Sequence, residues 1–209
     1  MSFDLKEEEC IFLVKLARKA IVEYLKTHRK IRPPQETPEK LKTRCGVFVT
    51  LNKLEERGKS LRGCIGYPEP VLPLVEATID SAINSAVEDP RFPPVKLEEM
   101  EKIVVEVSVL TPLQLIKVEN PKDYPKHVKV GVDGLVVELG WNKGLLLPQV
   151  PVEWGWNSEE FLSNCCMKAG LPPDCWLLSK TKIYKFSCII AEELEPNGRI
   201  IIKDLRKSS

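Results

Sequence analysis

Histidine is scarce in this chain, with His28 and His127 the two present, and no Cys-x-x-Cys pair accompanies them. That removes the ligand spacing of a structural zinc site. There is no Gly-x-x-x-x-Gly-Lys-Ser/Thr loop, no Gly-x-Gly-x-x-Gly fingerprint and no Gly-x-Ser-x-Gly elbow. Phosphate-loop nucleotide chemistry, dinucleotide binding and serine hydrolysis therefore lose their usual signatures. No sign of charge dominates: 31 Lys and Arg against 30 Asp and Glu give a formal charge of +1. A bulk field for phosphate backbones or anionic lipid is missing, so bulk nucleic-acid binding and membrane association are not expected. The longest uncharged runs, such as Val107 to Ile116, hold ten residues, whereas a bilayer-spanning helix needs about 20. The acidic start, Asp4 to Glu9, is unlike an export signal. A cytoplasmic location is the expectation.

Only three Gln stand beside abundant Lys and Glu, a bias found in proteins from hot environments and pointing to a thermophilic source. Seven cysteines in a chain without an export signal read as reduced, mostly buried thiols. The exception to expect is a pair between Cys165 or Cys166 and Cys175, because the Gly170 turn between them can return the chain. At 209 residues the chain can bury roughly 70% of its unfolded surface. A single domain spanning residues 1 to 209 is the default, with a smaller lobe near 131 to 180 marked off by Pro and Gly.

Val14, Ala17, Ile21 and Leu25 recur at helical spacing after Asp4 and Glu7, which predicts a capped amphipathic helix over 5 to 28. A second helical stripe covers 71 to 87. Asn157 and Glu160 have capping-box spacing, and Gly170 with Pro172 and Pro173 ends a helix over 158 to 169. Strands are expected near 45 to 51, 61 to 66, 103 to 110 and 183 to 191. Asp133-Gly134 and Pro196-Asn197-Gly198 read as hairpin turns. Hairpins outnumber crossovers, so the fold class is α+β, a largely antiparallel sheet packed with helices. His28 reads as a solvated helix cap rather than a catalytic base.

The segment Leu61-Arg62-Gly63-Cys64-Ile65-Gly66 carries the chemistry. Strand alternation sets Arg62 and Cys64 on one face, where a guanidinium favours a thiolate, and Gly63 and Gly66 admit a backbone or a ligand. The structural alternative is a buried cysteine beside a salt-bridged arginine. Asp89 and Arg91 sit in a Pro-rich connection, able to face a site or to pair with each other. Gln149, with Glu153 and Trp154 near it, offers an amide, a carboxylate and a ring to a ligand; otherwise it seals a sheet edge. Trp141, Trp154, Trp156 and Trp176 read as core rings.

The hexapeptide resembles the signature of the AMMECR-type domain family. The similarity continues in order through Asp89-Pro90-Arg91-Phe92-Pro93-Pro94, Ser108-Val109-Leu110, Leu147-Pro148-Gln149-Val150 and Lys168-Ala169-Gly170-Leu171. One departure is Asp133, where many members resemble a Gly-x-His-Gly pattern between positions 131 and 134. The resemblance implies a two-lobed α+β fold with a cleft, no established reaction and no named cofactor. It also implies, by genome association, Memo-type or radical S-adenosylmethionine proteins as pathway partners. Two readings follow. In one the chain is an enzyme or enzyme component acting on a small anionic substrate, with Arg62 as anion anchor and Cys64 as nucleophile or acid-base; Gly63, Gly66, Asp89, Arg91 and Gln149 line the cleft. In the other it is a non-catalytic module that binds a ligand or a protein, and the hexapeptide is structural.

Overall fold

The structure is a computed structural model that describes residues 4–204. The elements in chain order are α1 (Glu7–Thr27), β1 (Val47–Glu55), β2 (Gly58–Tyr67), α2 (Leu74–Val87), β3 (Ile103–Leu110), β4 (Gln114–Leu115), β5 (Gly134–Leu139), β6 (Asn142–Leu146), α3 (Gln149–Trp154), α4 (Ser158–Lys168), β7 (Lys182–Phe186), β8 (Cys188–Glu193) and β9 (Ile200–Asp204). Short 3-10 turns join them. The class is α+β, as the alternation and hairpin count predicted. The chain divides into two compact units. The first runs to Leu110 and takes up Ile189–Lys203, and the second covers Thr111–Cys188.

The first unit is built on a five-stranded sheet in the order β2-β1-β3-β8-β9. β1 pairs antiparallel with both β2 and β3. Its alternation sends Val47, Val49 and Leu51 inward with Val105, Val107 and Val109, against the buried stripe of α1 (Leu13, Val14, Ala17, Ile21) and of α2 (Leu74, Ile79, Ala82). Each fully buried aliphatic side chain contributes about 1.5–3 kcal/mol, so helix periodicity and strand alternation converge on one core. A buried ion pair crosses this core. Arg18 of α1 donates through Nε and Nη2 to the Glu193 carboxylate, and Glu193 Oε2 also accepts the Val105 N–H at 2.9 Å. Both side chains are under 10% exposed, where removing either partner of such a pair costs about 3–5 kcal/mol. This ties the returning β8 to α1.

The second unit carries a four-stranded sheet, β4-β7-β5-β6. Its core gathers Leu135, Val137, Phe161, Leu162, Cys165 and Ile183. α4 starts as expected, with Asn157 Oδ1 accepting from Glu159 and Glu160 while Glu160 Oε2 accepts the Asn157 N–H.

Several expectations are corrected. α1 begins two residues later than read: its N-cap is Lys6, whose N–H donates to Glu9 Oε2 at 2.7 Å, not Asp4. The first hairpin of the second unit turns at Gly140 and Trp141, where Gly140 has φ +61°, and not at Asp133-Gly134. Asp133 instead closes a local turn, its carboxylate accepting the Lys129 N–H at 2.9 Å. The run 183 to 191 is not one strand. It breaks at Ser187, whose N–H is taken by Thr111 Oγ1 and whose Oγ donates to the Val132 carbonyl, so β7 and β8 enter different sheets. Trp176 is buried, yet Trp141 and Trp154 are exposed, and the Trp154 ring stacks on Trp156 at 6.0 Å.

The cysteines depart from the reduced state at the pair expected as the exception. Cys166 and Cys175 form a disulfide with 6.0 Å between Cα atoms. Gly170, at φ +73°, reverses the chain after α4 and lets the segment with Pro172 and Pro173 carry Cys175 back to the helix.

Candidate functional site

β2 reaches Cys64 through a β-bulge. Leu51 pairs with Gly63 and Asn52 with Leu61, so Arg62 is the extra residue. A bulge re-aims side chains, and here it spoils the simple alternation that set Arg62 beside the thiol. The Arg62 guanidinium grips Glu99 as a fork, Nε to Oε2 at 2.9 Å and Nη2 to Oε1 at 3.0 Å, while Nη1 donates to the Pro93 carbonyl at 2.9 Å. Its side chain is only 11% exposed. Each of the three Arg62 nitrogens thus donates to a protein acceptor, and the guanidinium holds the Glu99 carboxyl below its ordinary value. It is a strut between β2 and the 93–99 connection rather than an open anion anchor.

Asp89 and Arg91 do converge on Cys64. The Cys64 N–H donates to Asp89 Oδ2 at 2.8 Å. Arg91 donates to the same carboxylate from Nε (2.9 Å), from Nη2 (2.7 Å) and from its backbone N–H (3.1 Å), and its Nη2 lies 3.3 Å from the Cys64 carbonyl. The Asp89 side chain is 2% exposed and that of Arg91 53%. Hydrogen bonds from Arg91 and from the Cys64 amide hold Asp89 well below the usual carboxylate range. Phe92 lies between the two cations, its ring 6.0 Å from Arg62 and 5.5 Å from Arg91. Arg91 Nη1 makes no hydrogen bond to protein among the described residues, which leaves a preoriented donor pair for a ligand.

Gly63 and Gly66 prove to be packing positions. A Cβ on Gly63 would stand 2.0 Å from the Ser85 carbonyl oxygen of α2, and one on Gly66 would stand 2.3 Å from the Val47 carbonyl oxygen. Ser85 completes the seam: its Oγ accepts the Ile65 N–H at 2.8 Å and donates to the Val49 carbonyl at 2.7 Å. The glycines therefore admit a helix and a neighbouring strand, not a ligand.

Across the sheet, Cys64 is the register partner of Thr50, and Thr50 of Glu106. This row was missed in the sequence reading, because strand pairing and not proximity along the chain creates it. The Thr50 hydroxyl donates to Cys64 Sγ at 3.3 Å. Glu106 accepts from the Ser108 hydroxyl at 3.1 Å. Burial pushes the Cys64 thiol up from its ordinary value; the Thr50 hydroxyl and Arg91 oppose this, and the Glu106 and Asp89 charges add to it. Burial pushes the Glu106 carboxyl up as well, with Glu192 adding. A thiol lowered by Arg62 is accordingly corrected: the cation that acts on it is Arg91, and desolvation outweighs it.

Gln149 opens α3 in the second unit, and its amide oxygen is buried without a hydrogen-bond partner. His28 caps α1 in the left-handed region at φ +56°, its N–H donating to the Tyr24 carbonyl. Among the described residues no group of three or more His, Cys, Asp or Glu is placed to hold a metal ion, and no helix is long and apolar enough to cross a membrane.

Comparison with known proteins gives the context for this site. The chain is 61% identical to Protein PH0010 of Pyrococcus horikoshii over 98% of its own length and all of that protein's. It is 52% identical to Protein MJ0810 of Methanocaldococcus jannaschii, covering 95% of this chain and 96% of that one. The crystal structure of the uncharacterized protein PH0010 superposes with a TM-score of 0.88 at 60% identity, over 96% of this chain and 99% of that one. The family model of AMMECR1 matches residues 14–191, and the chain belongs to the AMMECR1 family.

Proposed function

We propose that the first unit binds a small anionic ligand, with Arg91 as its cation and Cys64 and Thr50 as neutral polar contacts, and that the chain serves as a ligand-binding enzyme component. The observation that carries this reading is the Asp89–Arg91 pair. A carboxylate at 2% exposure fixes a guanidinium at 53% exposure by Nε and Nη2, and Nη1 stays unbonded. A guanidinium held by its inner edge loses little rotamer freedom on meeting a carboxylate or phosphate, which favours binding there. The thiol is neutral at pH 7 on this reading, because burial raises it; it donates or accepts a weak hydrogen bond and makes no covalent step. Arg62 and the two glycines keep the strand in place.

Residue-resolved NMR titration with inorganic phosphate and with acetate tests the reading. Shifts should concentrate at residues 62–66 and 89–92, and Arg91→Ala should weaken the response tenfold or more while Arg62→Ala weakens it less. Equal responses from Arg91→Ala and the parent would remove Arg91 as the anchor. A second reading, a module whose hexapeptide is wholly structural, is favoured by the engagement of all three Arg62 nitrogens with protein acceptors and the close packing at Gly63 and Gly66. It predicts no saturable shift at 62–66 with either probe.

A further inference from the structure

A cavity lies within the first unit, between α1 and the β8–β9 hairpin. It has a volume of about 320 Å³, within the size range of small-molecule sites. From α1, the side chains Lys15, Arg18, Lys19 and Val22 line it, at the i, i+3, i+4, i+7 spacing that makes one helix face. Asn197 and Ile200 line it from the hairpin, where Asn197 takes φ +59° in the tight turn.

The charges on this wall do not cancel. The acid that lines it, Glu193, is consumed: both carboxylate oxygens are held by Arg18, and the Val105 N–H takes one of them as well. Lys15 and Lys19 are exposed, and neither has an ion-pair partner among the described residues. Counting Lys15, Lys19 and Arg18 against Glu193 leaves +2 in the cavity lining, in a chain whose whole formal charge is +1. Two like charges at i, i+4 repel each other along a helix face, and a bound anion relieves that repulsion. Val22 and Ile200 add an apolar wall beside the cations.

We infer that this cavity is a binding site for a small organic anion, its charged end between Lys15 and Lys19 and its apolar body against Val22 and Ile200. The site is independent of the Cys64–Arg91 face and uses none of its residues. Phenyl phosphate is the probe, with inorganic phosphate as the comparison, followed by backbone amide shifts in the full chain. Phenyl phosphate should shift residues 15–22 and 195–200 saturably and bind several-fold tighter than inorganic phosphate, because only the former reaches the apolar wall. Lys15→Gln with Lys19→Gln, both good helix formers at exposed positions, should weaken it tenfold or more and leave the circular dichroism spectrum unchanged. Arg91→Ala should leave the 15–22 response as it is, which separates this site from the proposed function. Shifts that never saturate, equal affinity in the double glutamine variant, or equal affinity for the two phosphates would each overturn the inference.

Discussion

Gly63→Ala tests whether the hexapeptide is built around packing. The added methyl would begin 2.0 Å from the Ser85 carbonyl oxygen, whereas carbon and carbonyl oxygen rest at about 3.3–3.6 Å. β2 and α2 must therefore separate by roughly 1 Å or more. Backbone sits on both sides, so no side-chain rotation relieves the clash. Overpacking of this kind costs about 1–3 kcal/mol. The same separation stretches the Ile65–Ser85 and Ser85–Val49 hydrogen bonds and the Cys64–Asp89 contact just beyond α2, each with a net worth of about 0.5–1.5 kcal/mol. A loss of about 2–5 kcal/mol is expected, or roughly 5–15 °C in Tm for a chain of this size. Guanidinium unfolding is best followed by two probes. All four Trp (Trp141, Trp154, Trp156, Trp176) lie in the second unit, while the two longest helices, α1 and α2, lie in the first. Tryptophan fluorescence thus reports the second unit, and helical circular dichroism weights the first. Gly140→Ala is the control: its φ is +61° with nothing within 4 Å of the new Cβ, so only left-handed strain of about 1–2 kcal/mol applies. A Gly63→Ala protein within 0.5 kcal/mol of the parent would refute the packing argument.

The remaining predictions concern the thiols and the buried aspartate. Because burial raises the Cys64 thiol, iodoacetamide at pH 7 should label it more slowly in the folded protein than in denaturant; faster labelling in the folded state would show an activated thiolate instead. Thr50→Val removes the hydroxyl that opposes the rise and should slow labelling further. The Asp89 carboxyl is held low, so its contribution is present above the unfolded value of about 3.9 and is lost as pH falls through the folded value. Asp89→Asn should cost about 1–3 kcal/mol at pH 7 and show a shallower loss of stability below about pH 5 than the parent; parallel curves would argue against a buried anion. Thiol counting in denaturant without reductant should return five of seven cysteines, and reduction of Cys166–Cys175, nine residues apart, should cost about 2–3 kcal/mol by loop entropy.

How much was legible in the chain depended on range. The helices α1 and α4, the strand β1 and the apolar face of β3 were readable, because helix period, strand alternation and an Asn157–Glu160 box are encoded within one or two turns of sequence. So was the closeness of Asp89 and Arg91, two residues apart. Legibility failed where the deciding partner is distant. Nothing local says that Arg62 will meet Glu99, 37 positions on, or that Arg18 will meet Glu193 across 175. Nor does it say that a bulge will turn Arg62 away from the thiol while cross-strand register puts Thr50 and Glu106 in line with Cys64. Ser187 reads as mid-strand by composition, yet hydrogen bonds to Thr111 and Val132 break the strand there. The chain by itself determined its class and its main helices, since burying apolar faces of fixed period leaves few alternatives. Tertiary structure alone decided the surroundings of residues 61–66: which arginine is buried, which is exposed and that burial raises the thiol depend on neighbours that only the folded sheet and helices bring together.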